Sequence, residues 1–256
     1  MEEKIVSKAI IESYMKSLIS CLDIDVAIAG AGPSGLICGY YLAEKGFNVA
    51  IFERSLRIGG GMPGGGMMFN RIVIEEEAVG ILKEIGIKVK KYKENLYVAD
   101  AIETICGLAY KTVRKGVKIF NLISVEDLVI REKKVEGVVL NWTAVGIANL
   151  HVDPLAVKSK IVVDATGHDC ELCRIVEKKV GAQLRTETGK VIGERSMWAE
   201  AGEKQIVENT KEIFPGLVIC GMAANAVAGS PRMGAIFGGM FLSGRKAAEI
   251  IERIIK

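Results

Sequence analysis

The sequence predicts an α/β fold: a Rossmann-like domain of the FAD/NAD-binding type, with three layers, a parallel central sheet and a small inserted β-meander. Three observations lead to this prediction. A β-prone apolar run at residues 25–29 enters a glycine turn, from which a helical run leaves. A second apolar run, residues 48–52, follows that helix and ends in Glu53. Later runs at residues 160–167 and 216–222 have the continuous apolar character of buried parallel strands.

The glycine turn contains Gly30, Gly32 and Gly35 in the spacing G-x-G-x-x-G. In such a turn the first glycine permits a tight bend, the second lets the backbone approach a pyrophosphate, and the third lets the helix pack close to the strand. The phosphate then lies at a helix N-terminus, where free N–H groups and the helix dipole favour an anion. The turn therefore predicts a dinucleotide site, with a purely structural strand–turn–helix unit as the alternative.

Glu53 follows Gly30 by 23 residues. An acidic residue about 20 residues after the turn is the usual partner of a ribose 2′-hydroxyl. An acid at this position favours NAD or FAD over NADP, although the adjacent Arg54 weakens that inference.

The chain before the first strand, residues 1–22, is predicted to form an N-terminal helix over residues 3–20, with apolar side chains at helical spacing. We expect this helix to pack on the core or on a neighbouring subunit, and core packing is the simpler expectation. Residues 23–256 are predicted to form a single domain of the dinucleotide-binding type.

Residues 59–66 contain six glycines in eight positions. A segment so rich in glycine does not form a stable helix or strand interior. We predict that its backbone contacts a ligand or moves as a lid, with an ordinary loop as the alternative.

The remaining chain is assigned from apolar periodicity and from glycine stops. Residues 131–134 are a charged turn, residues 143–160 and most of 182–210 have no clear pattern, and residues 223–239 are predicted to be a loop. The predicted helices cover residues 36–45, 75–86, 100–115, 203–211 and 239–255, with one more ending before Gly181, and the further strands cover residues 117–120, 124–130 and 135–142.

Composition excludes several classes of protein. A net charge of +3 without a basic block argues against nucleic acid as a partner. No apolar run reaches the ~18 residues of a membrane span, and no signal peptide is evident. Six cysteines in a chain of 256 residues do not suggest a secreted disulfide framework, so we expect free thiols and a cytoplasmic protein.

The chain has only two histidines, and each is close to an aspartate: His151 with Asp153, and His168 with Asp169. In an extended segment the side chains at i and i+2 share a face, and His168 follows a predicted parallel strand at the end where such sheets bind ligands. Imidazole and carboxylate ligands suit Fe(II) or a similar ion. The alternative is that these are ordinary surface or core residues.

Cys170 and Cys173 form a C-x-x-C sequence. Without a second such pair, structural zinc is not expected, and we interpret the pair as a coincidence at a helix start, with metal contact or sulfur handling still open.

Arg232 lies between proline and glycine in a loop after the last predicted strand, where it could bind a carboxylate or simply face solvent.

The glycine turn, Glu53-Arg54 and residues 165–167 resemble the flavoproteins with two dinucleotide-binding domains. Those enzymes usually carry Gly-Asp after the last strand, whereas this chain has Cys220-Gly221-Met222, which argues against FAD. Several motifs in combination are more specific and resemble the thiazole synthase family of thiamine biosynthesis. These motifs are residues 57–66, 141–143, Asp153-Pro154, 166–169 and 232–234.

The resemblance implies an enzyme that consumes NAD as a substrate. Nicotinamide is lost, the opened ADP-ribose condenses with glycine, and sulfur addition and cyclisation give an ADP-linked thiazole carboxylate. The resemblance also implies Fe(II) bound by Asp153 and His168 from neighbouring subunits of a homo-octamer. It assigns Arg232 to the glycine carboxylate, and it assigns nucleotide contacts to Ser34, Glu53, Arg54, Gly61, Val125, Met222 and the segment His151-Val152-Asp153.

His151 determines the expected subtype. Members that donate sulfur from their own chain carry a cysteine at this position, two residues before the iron-binding aspartate, and they turn over once. Imidazole has no sulfur to give, so the resemblance implies free sulfide as the donor and multiple turnover. We expect His151 to be catalytic, ordering the substrate or relaying a proton.

Two other functions remain open from the sequence. One is an FAD-dependent oxidoreductase, which would be yellow. The other is a non-catalytic sensor of NAD or ADP-ribose, in which changing Asp153 or His168 would have little effect.

Overall fold

The computed structural model describes residues 2–181 and 183–256. Met1, in the predicted N-terminal segment, and Ala182, in the stretch without a clear pattern, lie outside the described residues. The strands are β1 (Asp23–Ala29), β2 (Val49–Glu53), β3 (Arg71–Glu75), β4 (Val89–Lys93), β5 (Leu96–Asp100), β6 (Lys118–Asn121), β7 (Ile123–Arg131), β8 (Lys134–Trp142), β9 (Leu155–Asp164), β10 (Lys211–Phe214) and β11 (Leu217–Ile219). The helices are α1 (Glu3–Ile19), α2 (Pro33–Glu44), α3 (Glu76–Ile85), α4 (Ala101–Arg114), α5 (Thr143–Ile147), α6 (Glu171–Val180), α7 (Ala199–Asn209), α8 (Met222–Ala228) and α9 (Gly238–Ile255).

The central sheet has the strand order β10-β11-β9-β1-β2-β6. Strands β11, β9, β1, β2 and β6 are mutually parallel, and β10 pairs antiparallel at one edge. Strands β7 and β8 form an antiparallel hairpin that joins the sheet through the first half of β9. The predicted fold class, a parallel sheet with an inserted meander, is confirmed.

Side chains of β1 alternate between two buried cores. Val26 and Ile28 belong to the core that includes residues of α2, α4 and α9, whereas Ala27 and Ala29 belong to the core that includes residues of the β7–β8 hairpin, α6 and α8. Because both faces of the sheet are covered, residues 26–29 of β1 and 49–52 of β2 are apolar and buried. The carboxyl ends of β1, β2 and β9 therefore form one edge of a well-packed scaffold.

Helix α1 differs from the expectation of core packing. Leu18 is its only buried residue, while Ile5, Ile10, Ile11 and Ile19 are each more than half exposed. The helix contacts the domain near its end, where the Tyr14 ring lies 5.7 Å from that of Phe120. Periodicity identified the helix but not what its apolar face contacts, because an apolar stripe is the same whatever it packs against.

A second sheet, β3-β5-β4, was not predicted. Its strands are five residues long, and β4 is Val-Lys-Lys-Tyr-Lys with four exposed residues. Strand predictions from sequence depend on apolar alternation, which β4 lacks and which β3 and β5 could show over only five residues each.

Several boundaries also differ from the predictions. Strand β9 begins at Leu155 within the stretch predicted to be irregular, which also contains α5. The helix predicted over 203–211 is α7, and Lys211 begins β10. The predicted loop 223–239 starts inside α8, a run of small helix-compatible residues that ends at Gly229 with φ +74°.

Within the residues that the structure describes, no helix combines the length and apolar character needed to cross a membrane.

Candidate functional site

A cavity of about 810 Å³ lies at the carboxyl edge of β1, β2 and β9. Its wall includes the glycine turn, the end of β2, the chain after β9, and the loops around residues 60–67 and 232–235. Open α/β sheets bind ligands at this edge, where the strand connections diverge. The cavity is large enough for a dinucleotide-sized ligand.

The three glycines of the turn have different surroundings. At Gly30 (φ +100°) a Cβ would lie 2.4 Å from the Ala165 carbonyl oxygen, and at Gly35 it would lie 2.2 Å from that of Gly30. At Gly32 a Cβ would meet nothing within 4 Å. Gly30 and Gly35 are thus required by the fold, whereas Gly32, which lines the cavity, leaves room for a ligand.

The N-terminus of α2 faces this cavity. Gly32 is its N-cap, Pro33 and Ser34 follow, and all three line the wall. Among the residues that the structure describes, no side chain caps the helix. The first N–H groups are therefore available to an anion, as the glycine spacing predicted.

Glu53 is buried at the end of β2, and both of its carboxylate oxygens accept backbone hydrogen bonds. The Ala31 N–H donates to Oε2 at 2.8 Å, and the Ser55 N–H donates to Oε1 at 2.8 Å. Each oxygen keeps a further lone pair for a hydroxyl donor. The position suits the predicted ribose contact, and a buried carboxylate here would repel a 2′-phosphate.

Arg54 is paired within the chain. Its guanidinium donates to Asp169 Oδ2 at 3.2 Å and to Glu171 Oε1. Glu171 is the main reason that the pKa of Arg54 is raised, while burial raises the pKa of Glu171. Because Arg54 is already paired with two carboxylates, it is poorly placed to attract a 2′-phosphate as well. Its position next to Glu53 therefore weakens the predicted preference for NAD over NADP less than the sequence suggested.

His168 lies on a short 3₁₀ turn, Gly167–Asp169, directly after β9, and it lines the cavity. Its Nδ1 is 2.6 Å from Glu194 Oε1. Within the described part of the chain no hydrogen-bond partner of Nε2 is found. The imidazole thus has one nitrogen engaged and one free.

Arg232 also lines the cavity, and its guanidinium forms no ion pair with any residue that the structure describes. Its backbone is fixed: the Arg232 N–H donates to the Arg195 carbonyl, and the Trp198 N–H donates to the Arg232 carbonyl. A free guanidinium on a fixed backbone suits a carboxylate or a phosphate. Gly61, Val125 and Met222, the other predicted contacts, line the same cavity.

The segment His151-Val152-Asp153 does not line the cavity. All three residues are exposed, and the segment is held through the Val152 carbonyl, which accepts from Asn141 Nδ2 at 3.0 Å. Among residues 2–181 and 183–256, no group of three or more His, Cys, Asp and Glu side chains is arranged to hold a metal ion. Of the two predicted metal ligands, His168 lines the cavity and Asp153 does not.

Cys170 and Cys173 are both fully buried and do not line the cavity. Burial raises the pKa of the Cys170 thiol to about 12, and that of Cys173 is raised well above its usual value. The Asp164 carboxylate adds to both shifts. Since the thiolate is the reactive form, these thiols are not suited to redox chemistry or to sulfur donation.

Sequence reasoning missed two polar residues of the site, Glu171 and Glu194. Glu171 pairs with Arg54, as does Asp169, which the sequence had singled out beside His168, and Glu194 contacts His168. Glu171 had a signal in its proximity to His168. Glu194 had none, because it is 26 residues away in a stretch without periodicity.

Comparison with known proteins gives a consistent picture. A sequence profile of the Thi4 family matches residues 7–237. A thiamine thiazole synthase from Methanothermobacter thermautotrophicus is 54% identical over 251 residues, which is 98% of this chain and 97% of that protein. The crystal structure of THI4 from Thermovibrio ammonificans matches with a TM-score of 0.98 and 49% identity over 100% of this chain and 99% of that chain.

A more distant structure shares the fold alone. A geranylgeranyl bacteriochlorophyll reductase-like protein from Thermoplasma acidophilum is 16% identical, with a TM-score of 0.60 over 91% of this chain and 79% of that chain. This likeness agrees with the FAD/NAD-binding type of fold predicted from the glycine turn.

Proposed function

Because the chain belongs to the Thi4 family, we propose that it is a thiazole synthase of thiamine biosynthesis that forms an ADP-linked thiazole carboxylate from NAD, glycine and free sulfide. One observation carries the proposal. A single cavity joins a dinucleotide-type glycine turn to an imidazole, His168, and to an unpaired guanidinium, Arg232. A site for nucleotide binding alone has no need of the last two groups.

NAD is the proposed substrate at the glycine turn. The free N–H groups of α2 would take the pyrophosphate, and Glu53 would accept from a ribose hydroxyl. The pairing of Arg54 with Asp169 and Glu171 supports NAD over NADP, because it leaves that cation little affinity for a 2′-phosphate.

Glycine is the proposed second substrate, bound through its carboxylate to Arg232. The guanidinium is a fork of donors that matches a carboxylate, and its lack of a partner among the described residues leaves it free to bind one.

The residues fit Fe(II) as the implied metal. His168 presents an imidazole whose Nδ1 is engaged by Glu194 and whose Nε2 is free among the described residues, and Asp153 is an exposed carboxylate. This donor set suits iron, with Asp153 supplied by a neighbouring copy of the chain in the proposed homo-octamer. When bound, Fe(II) would supply a Lewis-acidic centre with affinity for sulfide.

His151 carries the proposal of multiple turnover. The side chain has no sulfur to donate, and Cys170 and Cys173 are buried with raised pKa values. His151 would order the substrate or relay a proton. The variant His151→Ala is expected to keep iron binding and to slow product formation, with His168→Ala as the control that loses iron; loss of iron in His151→Ala would instead identify a ligand.

The experiment that tests the whole proposal is anaerobic. The protein is incubated with NAD, glycine, sulfide and Fe(II), and mass spectrometry follows the ADP-linked thiazole and the intact mass of the protein. Product beyond one equivalent per chain, with the protein mass unchanged, is the expected result. Product limited to one equivalent, with loss of a sulfur from the protein, would overturn the sulfide-dependent assignment, and intact NAD would overturn the enzymatic one.

A further inference from the structure

The contact between His168 and Glu194 is the one polar interaction of the cavity imidazole in the described chain. Nδ1 and Oε1 are 2.6 Å apart. The Glu194 side chain is only 18% exposed, whereas that of His168 is 49% exposed. A mostly buried carboxylate therefore holds a half-exposed ring.

Glu194 lies on residues 192–198, which we call the strap. The strap is bonded to the end of α8 and the loop after it: the N–H groups of Ile192, Gly193 and Arg195 donate to the carbonyls of Val227, Ala226 and Ser230 at 2.9 to 3.1 Å. These are backbone hydrogen bonds on both sides of Glu194. The carboxylate is thus presented by a fixed piece of backbone.

Two glycines shape this contact in different ways. At Gly229 (φ +74°) a Cβ would lie 2.5 Å from Ile192 Cγ2, so a side chain there would push against the strap. At Gly193 a Cβ would meet nothing within 4 Å, but its φ of +91° is a backbone conformation that favours glycine.

The same strap fixes the backbone of Arg232. The Arg232 N–H donates to the Arg195 carbonyl at 3.3 Å, and the Trp198 N–H donates to the Arg232 carbonyl at 3.0 Å. The strap therefore connects the imidazole and the free guanidinium of the cavity through a few residues.

We propose that Glu194 is a positioning residue that accepts the Nδ1–H of His168, so that the ring keeps its proton on Nδ1 and turns the Nε2 lone pair to the cavity. A carboxylate on the second nitrogen of a histidine fixes its tautomer and its orientation. The strap makes this orientation part of the same structural unit as Arg232. The consequence for iron rests on the proposed function, whereas the tautomer does not.

The first test measures the tautomer in metal-free protein. Because the chain has only two histidines, His151→Ala leaves a single imidazole for ¹⁵N solid-state NMR. In this background we expect the neutral ring to carry its proton on Nδ1, and we expect Glu194→Ala to shift it largely to Nε2, the form that free histidine prefers. A ring protonated on Nε2 before the change, or an unchanged tautomer after it, would overturn the proposal.

Two further variants separate positioning from folding. Glu194→Gln keeps an oxygen that can accept the Nδ1–H, so it should retain the tautomer and the melting temperature. Glu200→Ala, at an exposed carboxylate on α7 whose one partner in the described chain is Lys204, is the matched control and should change neither readout. If Glu194→Gln lost the tautomer while the protein stayed folded, the hydrogen-bond assignment would be wrong.

The second test measures binding of Co(II), a spectroscopic probe for an iron site, to the protein with His151 intact. Removing such an outer carboxylate typically lowers metal affinity about 10- to 100-fold, so we expect that loss in Glu194→Ala and none in Glu200→Ala. A changed tautomer with unchanged Co(II) affinity would support positioning by Glu194 and count against His168 as a metal ligand. Lost affinity with an unchanged tautomer would overturn positioning.

Discussion

The two ends of the cavity are built in different ways. At the nucleotide end, Gly30, Gly35 and Glu53 are locked to their surroundings by close contacts or by backbone hydrogen bonds within one chain. At the other end, His168 is half exposed and held by one carboxylate, and Asp153 is exposed outside the cavity. The proposed nucleotide site is thus pre-organised by local structure, whereas the proposed chemistry depends on groups brought from distant parts of the chain or from another copy.

The largest expected effect comes from adding one methyl group to the nucleotide end. In Gly35→Ala the new Cβ would lie 2.2 Å from a backbone oxygen that has little freedom to move, so we expect a loss of more than about 4 kcal/mol of folding free energy. In Gly32→Ala the Cβ meets nothing, so stability should change by less than about 1 kcal/mol while affinity for NAD falls.

Thermal unfolding and calorimetric titration with NAD measure these two quantities for each variant. If Gly35→Ala folded normally and bound NAD normally, the glycine turn would not be locked by close backbone contacts as the comparison of the two ends requires. The comparison would also fail if Gly32→Ala left NAD binding intact, because the turn would then not approach the ligand.

The second effect tests the other end by mixing inactive variants. Asp153→Ala and His168→Ala are each expected to abolish thiazole formation. If a site combines Asp153 of one copy with His168 of another, co-assembled variants should recover about one quarter of the native activity, because one random combination in four has both residues intact. Activity of subunit mixtures refolded together is the measurement, with each variant refolded alone as the control. No recovery would indicate that both residues act within one chain.

The third effect concerns Arg232. This residue is far in sequence from the groups that form either end of the cavity, and the loop on which it lies fixes its backbone. Arg232→Gln removes a charged donor, and a hydrogen bond to a charged group contributes about 1.5–3 kcal/mol, so KM for glycine should rise about 10- to 100-fold. KM for NAD should change little. Arg195→Gln removes the neighbouring guanidinium, which does not line the cavity, and is the matched control. A rise in KM for NAD with little change in KM for glycine would place Arg232 at the nucleotide instead.

This difference between the two ends also explains what the sequence could predict. The strand–turn–helix unit and Glu53 lie within 30 residues, and their positions follow from local backbone geometry, so spacing was enough to locate them. The contact of Glu194 with His168 spans 26 residues, and strand β4 of the outer sheet is polar, so neither gives a periodic signal. The segment at 151–153 was found as a motif, but its exposure could not be read from a pattern of residues.

A smaller effect concerns a buried carboxylate on α7 that contacts the start of α9. Glu203 accepts the Gly239 N–H at 2.5 Å, but its Oε2 has no partner among the described residues. Burial, with a contribution from Glu75, raises the pKa of Glu203 to about 7 from 4.5. The folded protein then holds a proton that the unfolded chain releases, so stability should fall as pH rises between about 4.5 and 7, by up to roughly 3 kcal/mol.

Glu203→Gln provides the check, because the amide oxygen can still accept the Gly239 N–H but cannot ionise. The variant should be more stable than the native protein at pH above about 7 and similar to it below about pH 4.5. Melting temperatures across this range measure the difference. A constant difference at all pH values would show that Glu203 does not titrate in the folded chain over this range.

The smallest expected effect is on the cysteines near His168. Cys106 is exposed and the other five are buried, and burial raises the pKa of Cys170 to about 12. Because alkylation requires the thiolate, iodoacetamide at neutral pH should modify Cys106 alone in the folded protein and leave thiazole formation unchanged, whereas the denatured chain should take up six labels. Intact mass counts the labels, and peptide mapping locates them. Rapid labelling of Cys170 or Cys173 with loss of activity would place a reactive thiol near His168. That thiol, rather than free sulfide, would then be a candidate sulfur donor.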